Sequence, residues 1–113
     1  MNLKGKRFRA QSNSAGGTVN TDTEMHFTED GDVILGTYRG GSILQGHLMG
    51  RWTGEMRMEM CYHCLTRSDA IQAGRAKASF DRTSDGNLAM ALNWQWLTGD
   101  RTKGQSYWVA DDG

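Results

Sequence analysis

The chain has 113 residues, enough for one domain with a single core and little besides. Its 13 basic and 13 acidic residues cancel, so no overall field draws it to nucleic acid or to an acidic membrane. No stretch nears the ~18 apolar residues of a membrane span, the opening from Met1 to Lys6 lacks a secretory signal's apolar run, and two cysteines are too few to staple a secreted fold, which together predict a cytoplasmic protein of bacterial type.

Fifteen glycines and no proline divide the chain into short segments. Asn13-Ser-Ala-Gly-Gly17 closes the first. In the second, over 21–28, Met25 and Phe27 oppose Glu24 and His26, and Glu29-Asp-Gly-Asp32 ends it. Arg39-Gly-Gly41 ends the third segment and Thr53-Gly54 the fourth. In the fifth, over 55–64, Met56, Met58, Met60, Tyr62 and Cys64 alternate with Glu55, Arg57, Glu59, Cys61 and His63, up to a turn at Thr66-Arg-Ser-Asp69. The sixth runs to Ser84-Asp-Gly-Asn87. In the seventh, over 88–96, Leu88, Met90, Leu92, Trp94 and Trp96 share one face, and Gly99 to Gly104 separates it from the eighth. Asp30-Gly31 and Asp85-Gly86 are pairs that two-residue hairpin loops favour. Met, Glu, Arg and Ala favour helices over 55–64 and 70–80, but the strict period of two overrides that propensity.

Seven turns between eight strand-length segments, with no room for crossover helices, predict an all-β antiparallel up-and-down meander. Such a meander removes its exposed edges by closing into a small barrel. Eight strands leave an interior that side chains fill or that holds one small ligand. With the apolar face inward, Met25, Phe27, Met58, Met60, Tyr62, Phe80, Met90, Trp94 and Trp96 line the lumen, with the small Gly74, Ala76 and Ala78 between them. Either the large rows fill the barrel or they leave a pocket over the small row. With the opposite face inward, His26, His47, His63, Glu59 and Arg75 would line a polar lumen fit for acid–base chemistry.

Other motifs have bland readings. In Cys61-Tyr-His-Cys64, residues three apart on a strand point to opposite faces, so neither a redox pair nor a structural zinc site follows, and no metal is expected. Cys61 and His63 share a face, but two strand steps separate them by ~6.5–7 Å, too far for an imidazole to activate the thiol. Seven methionines suit an adaptable apolar site or a gap-filled core. Arg39-Gly-Gly41 is a lone turn, and no phosphate-cradling loop is present, so no nucleotide cofactor is expected. The aromatics travel with Met and Leu rather than with basic residues, which excludes a nucleic-acid face.

Gly36-Thr-Tyr-Arg-Gly-Gly-Ser-Ile43, Gly46-His-Leu-Met-Gly50, Tyr62-His63 and Trp94-Gln-Trp96, with Gly99, Asp100, Gly104 and Ser106, resemble a family of short bacterial proteins often labelled "N-acetylglutamate synthase". An acetyltransferase of that name needs a mixed α/β fold and a pyrophosphate loop at a helix N-terminus, and this chain shows neither. The resemblance implies a compact calycin-like, lipocalin-like barrel.

The leading expectation is therefore a barrel binding a small, mostly apolar molecule, with Tyr38, Met58, Met60, Tyr62, Trp94 and Trp96 as walls and hydrogen-bonding handles. A small cyclase- or isomerase-type enzyme would use His63, Tyr62 or Arg75 as acid–base groups. A homodimeric interaction module would need no ligand.

Overall fold

The computed structural model describes residues 2–99 and 101–111. It contains eight strands: β1 (Arg7–Asn13), β2 (Glu24–Asp30), β3 (Ile34–Gly40), β4 (Ile43–Gly54), β5 (Arg57–Thr66), β6 (Ile71–Arg82), β7 (Leu88–Trp96) and β8 (Lys103–Ala110). Each pairs antiparallel with the next, and β1 pairs with β8, so the sheet is a closed barrel without a free edge. No helix of the structure is long and apolar enough to cross a membrane.

The apolar set of the alternating strands points inward. Along β7 and β5 the inner positions are buried while Arg57, Cys61 and His63 face solvent. His26, His47 and Arg75 are exposed as well. The chain thus adopts the Met/Trp-inward arrangement, and the polar lumen built from His26, His47, His63, Glu59 and Arg75 is not formed. Turning that face inward would bury several ionisable groups without partners, at several kcal/mol apiece.

Three local expectations need correction. Met56 does not continue β5: it sits in the turn after β4 with φ of 59°, and its carbonyl accepts a hydrogen bond from Phe80 N at 2.9 Å. The Asp30-Gly31 turn is a three-residue connection, 31–33, because Asp30 stays in β2. Its carboxylate accepts from Leu3 N at 2.6 Å and from Trp52 Nε1 at 2.9 Å. The Asp85-Gly86 turn belongs to a five-residue loop, 83–87, organised by Thr83, whose hydroxyl accepts from Asn87 N at 3.1 Å.

The interior divides into two ends. At one, Leu3, Phe8, Phe27, Phe80 and Trp52 pack together, Phe8 edge to face with Phe27 at 5.6 Å between centroids and Trp52 tilted against Phe80 at 5.5 Å. This end is solid. At the other stand Tyr38, Tyr62, Trp94, Trp96 and Trp108, less completely packed.

Candidate ligand cavity

The hollow end is built from rings laid against glycines. Tyr38 lies directly across the ladder from Gly46, Tyr62 from Gly74, and Trp94 from Gly104. A Cβ at any of the three glycines would meet the partner's ring at under 3.0 Å. The missing side chains let each aromatic lie down on the backbone of its neighbour instead of standing into the lumen, the same pairing that rescues glycine in designed sheets. The rings then form a chain of edge contacts, Tyr38–Tyr62 at 6.3 Å, Tyr62–Trp96 at 5.7 Å and Trp94–Trp96 at 6.0 Å between centroids.

Between these rings lies a cavity of about 40 Å³, walled almost wholly by carbon. That space is the size of a water or two, and its apolar walls offer water few partners. The segment 14–23, between β1 and β2, lies over part of it, with Thr18 and Val19 in the lining. Four hydrogen bonds hold this cover at its crest. Trp96 Nε1 donates to Gly16 O at 3.2 Å, and Asn13 Nδ2 donates to Val19 O at 3.1 Å. Thr18 Oγ1 donates to Gln72 Oε1 at 2.8 Å, and Ser42 Oγ donates to Thr18 O at 2.7 Å. At the hinge, Trp94 Nε1 donates to Asn13 Oδ1 at 2.8 Å. The Gly40-Gly41 turn lies under the same segment. Both glycines have positive φ, 115° and 63°, and a Cβ on either would strike Asp22 or Asn20.

One polar atom of the site is unspent. Tyr38 is 5% exposed and its hydroxyl has no hydrogen-bond partner among the described residues. Burial first, and then the neighbouring Cys64, hold its phenol far above the ordinary value of 10.0; burial likewise raises Tyr62. The Cys64 thiol is also raised by burial, against a smaller lowering by Tyr38. The two groups are close enough to perturb each other's titration, but no bond of normal geometry joins them. All three groups are therefore neutral at ordinary pH. Tyr38 can donate to an acceptor, and the site offers no charge.

Tyr38, Met60, Tyr62, Trp94 and Trp96 are brought together around the cavity. Met58 is buried but does not line it, being paired across the ladder with Trp52 on the solid side. His63 and Arg75 lie on the outer surface. Arg75 lines a broad, open concavity of about 1,090 Å³ with Arg51, Lys77 and Lys103. That hollow is larger, but it is an exposed sheet face without enclosure, and the inner cavity is the one with an unpaired buried hydroxyl. Sequence reasoning missed Asn13, Thr18, Val19 and Trp108. Asn13 read as a turn residue. Trp108 stands two residues from Ser106 in a segment whose alternation carried the signal, and its Nε1 donates to Ser106 Oγ at 2.9 Å.

A closed eight-stranded up-and-down barrel with an aromatic-walled cavity at one end defines a small ligand-binding β-barrel of calycin type. Residues 1–110 match the family described as "Avidin-like protein", and the chain belongs to that family. The synthase label attached to the resembling short proteins has no counterpart in this match. No curated protein and no solved structure matches the chain.

Proposed function

We propose that the barrel binds one small, uncharged, mostly apolar molecule between Tyr62, Trp94 and Trp96, and that Tyr38 donates a hydrogen bond to an oxygen or nitrogen acceptor on it. The observation carrying this reading is the Tyr38 hydroxyl, buried, unpaired and set beside an apolar cavity. A buried donor without an acceptor costs ~1–3 kcal/mol, and an incoming acceptor recovers that cost. A molecule larger than the 40 Å³ space enters as the 14–23 segment or the surrounding rings shift. The acid–base alternative needs His63 or Arg75 beside the cavity, and both lie on the outside, so binding is the reading the geometry favours.

The test is intrinsic tryptophan fluorescence and calorimetry against a panel of neutral metabolites. Biotin is added to the panel, its ring system uncharged although its side chain ends in a carboxylate, because avidin, which gives the family its name, binds biotin. Saturable quenching in the native chain, with at least tenfold weaker binding in Tyr38→Phe, is the expected outcome, matching the ~1.4 kcal/mol that a tenfold change represents. An unchanged affinity in Tyr38→Phe would remove the assigned role of the hydroxyl.

A second reading, self-association, is supported by an outer apolar strip. Ile71 is 76% exposed and lies directly opposite the exposed Leu65. Light scattering at rising concentration separates monomer from dimer.

A further inference from the structure

The three histidines are unused by the cavity, and two of them meet. His47 on β4 is the direct cross-strand partner of His63 on β5, and their ring centroids lie 5.7 Å apart with planes inclined by 25°. Both are exposed, and neither makes a hydrogen bond or an ion pair among the described residues.

We propose that His47 and His63 form a surface chelate for a borderline divalent transition-metal ion, of the copper(II), nickel(II) and zinc(II) class. Metal–nitrogen bonds are ~2.0–2.1 Å, so two imidazoles at neighbouring positions on one ion hold their centroids roughly 4.5–5.2 Å apart. The present 5.7 Å spacing is about half an ångström wider, and rotation about the torsions of two solvent-facing side chains closes that gap and turns a nitrogen of each toward it. The ladder fixes the Cβ separation, so binding to the first imidazole makes the second ligation intramolecular.

The surroundings accept a cation. Across the sheet the pair is flanked by Thr37 on β3 and Ala73 on β6. Along the strands the adjacent pairs are Gln45–Leu65 and Met49–Cys61. None of these six carries a positive charge; Arg75 stands opposite Cys61, diagonal to His63, and Arg51 and Lys77 lie further along the same face. Imidazole suits copper, nickel and zinc, and affinity across divalent ions peaks at copper(II). No group of three or more His, Cys, Asp or Glu converges among the described residues, so the pair supplies two ligands and water the others. An ion held there ties β4 to β5 on the outside of the barrel.

Nickel(II), which is redox-inert toward the exposed Cys61 thiol, is the probe. Isothermal titration into the full chain is expected to show one site. His47→Ala and His63→Ala are each expected to weaken it at least ~tenfold, the scale of losing a supporting interaction at a metal site. His26→Ala is the control: His26 is exposed on β2 opposite Arg7 and Thr37 and has no imidazole partner. It and Cys61→Ser should bind as the native chain does. Nickel should raise the thermal midpoint of the native chain and of these two controls, and leave it unmoved in the two pair variants. Equal losses in His26→Ala, loss confined to Cys61→Ser, or native binding no tighter than in the pair variants would overturn the assignment. Circular dichroism confirms the fold of each variant, since all four side chains are on the surface.

Discussion

Tyr38 is a phenol held away from water with nothing to donate to, and that arrangement is a cost unless something arrives to accept. Tyr38→Phe is therefore expected to leave the empty protein no less stable, with a gain of up to ~1–3 kcal/mol from removing the unpaired donor, measured as the urea midpoint. A clear loss would mean that the hydroxyl has a partner in solution. Gly74 makes the opposite case. It is the seat of the Tyr62 ring, whose Oη would lie 2.7 Å from an added Cβ, and Gln95 O would lie equally near. Backbone on one side and a ring on the other leave nowhere to yield. Gly74→Val should cost at least the ~1–3 kcal/mol of overpacking and push Tyr62 into the cavity, read as a fall in the thermal midpoint together with loss of ligand-induced quenching. Residue-level chemistry of this kind was only half legible in the sequence. The aromatics announce themselves, but that Gly46, Gly74 and Gly104 are their cross-strand partners depends on register, and register needs the strands placed.

Among the elements, the strands were readable and the cover was not. Alternation along 88–96 and 55–64 follows from a half-buried sheet; it survives in β7, apart from the buried Ala89, and in β5 from Arg57 onward. Residues 14–23 lack any periodicity, because a cover is held by side-chain contacts to distant strands: Thr18 reaches Gln72, and Trp94 reaches Asn13 across 81 positions. Such contacts leave no local pattern. The same failure placed Met56 within β5, where its side-chain chemistry continued the pattern but the chain reversed at positive φ. The Thr18 hydroxyl and the Ser42 hydroxyl are latches at the crest of the cover whose removal spares the tryptophans. In the double variant Thr18→Val with Ser42→Ala, indole N–H exchange of Trp94 and Trp96 should accelerate by roughly tenfold or more, since each lost bond contributes ~0.5–1.5 kcal/mol to closure. Exchange of Trp108, bonded inside to Ser106, should stay slow. Equal acceleration at all three indoles would point to global loosening rather than a cover that opens.

At the level of the whole molecule, the fold class came from turn counting and period-two alternation, while the location of the site came from which end of the barrel is solid. Both ends read alike in sequence, as Phe, Met and Trp on an inward face; only packing distinguishes the Phe8–Phe27–Phe80 plug from the Tyr–Trp shell. The neutral interior also sets a pH response. Tyr38, Tyr62 and Cys64 all titrate higher folded than unfolded, where the ordinary values are 10.0 for the phenols and 9.0 for the thiol. The unfolded chain therefore releases these protons first, and the stability they contribute is complete below pH 9 and lost progressively as pH rises beyond it. Each group gives a slope of up to ~1.4 kcal/mol per pH unit once its unfolded form ionises. Urea midpoints should fall between pH 9 and 11, less steeply in Tyr38→Phe; a flat profile would contradict the burial of these groups.

The small void under residues 14–23 gives the barrel a mechanical property besides. Unfolding floods it, so the unfolded protein and its solvent occupy less volume than the folded one, and hydrostatic pressure works against the empty barrel. The void of about 40 Å³ contributes on the order of 20 mL/mol to that contraction. A molecule that settles among the rings takes the compressible space away, and the occupied barrel should withstand compression that the empty one does not.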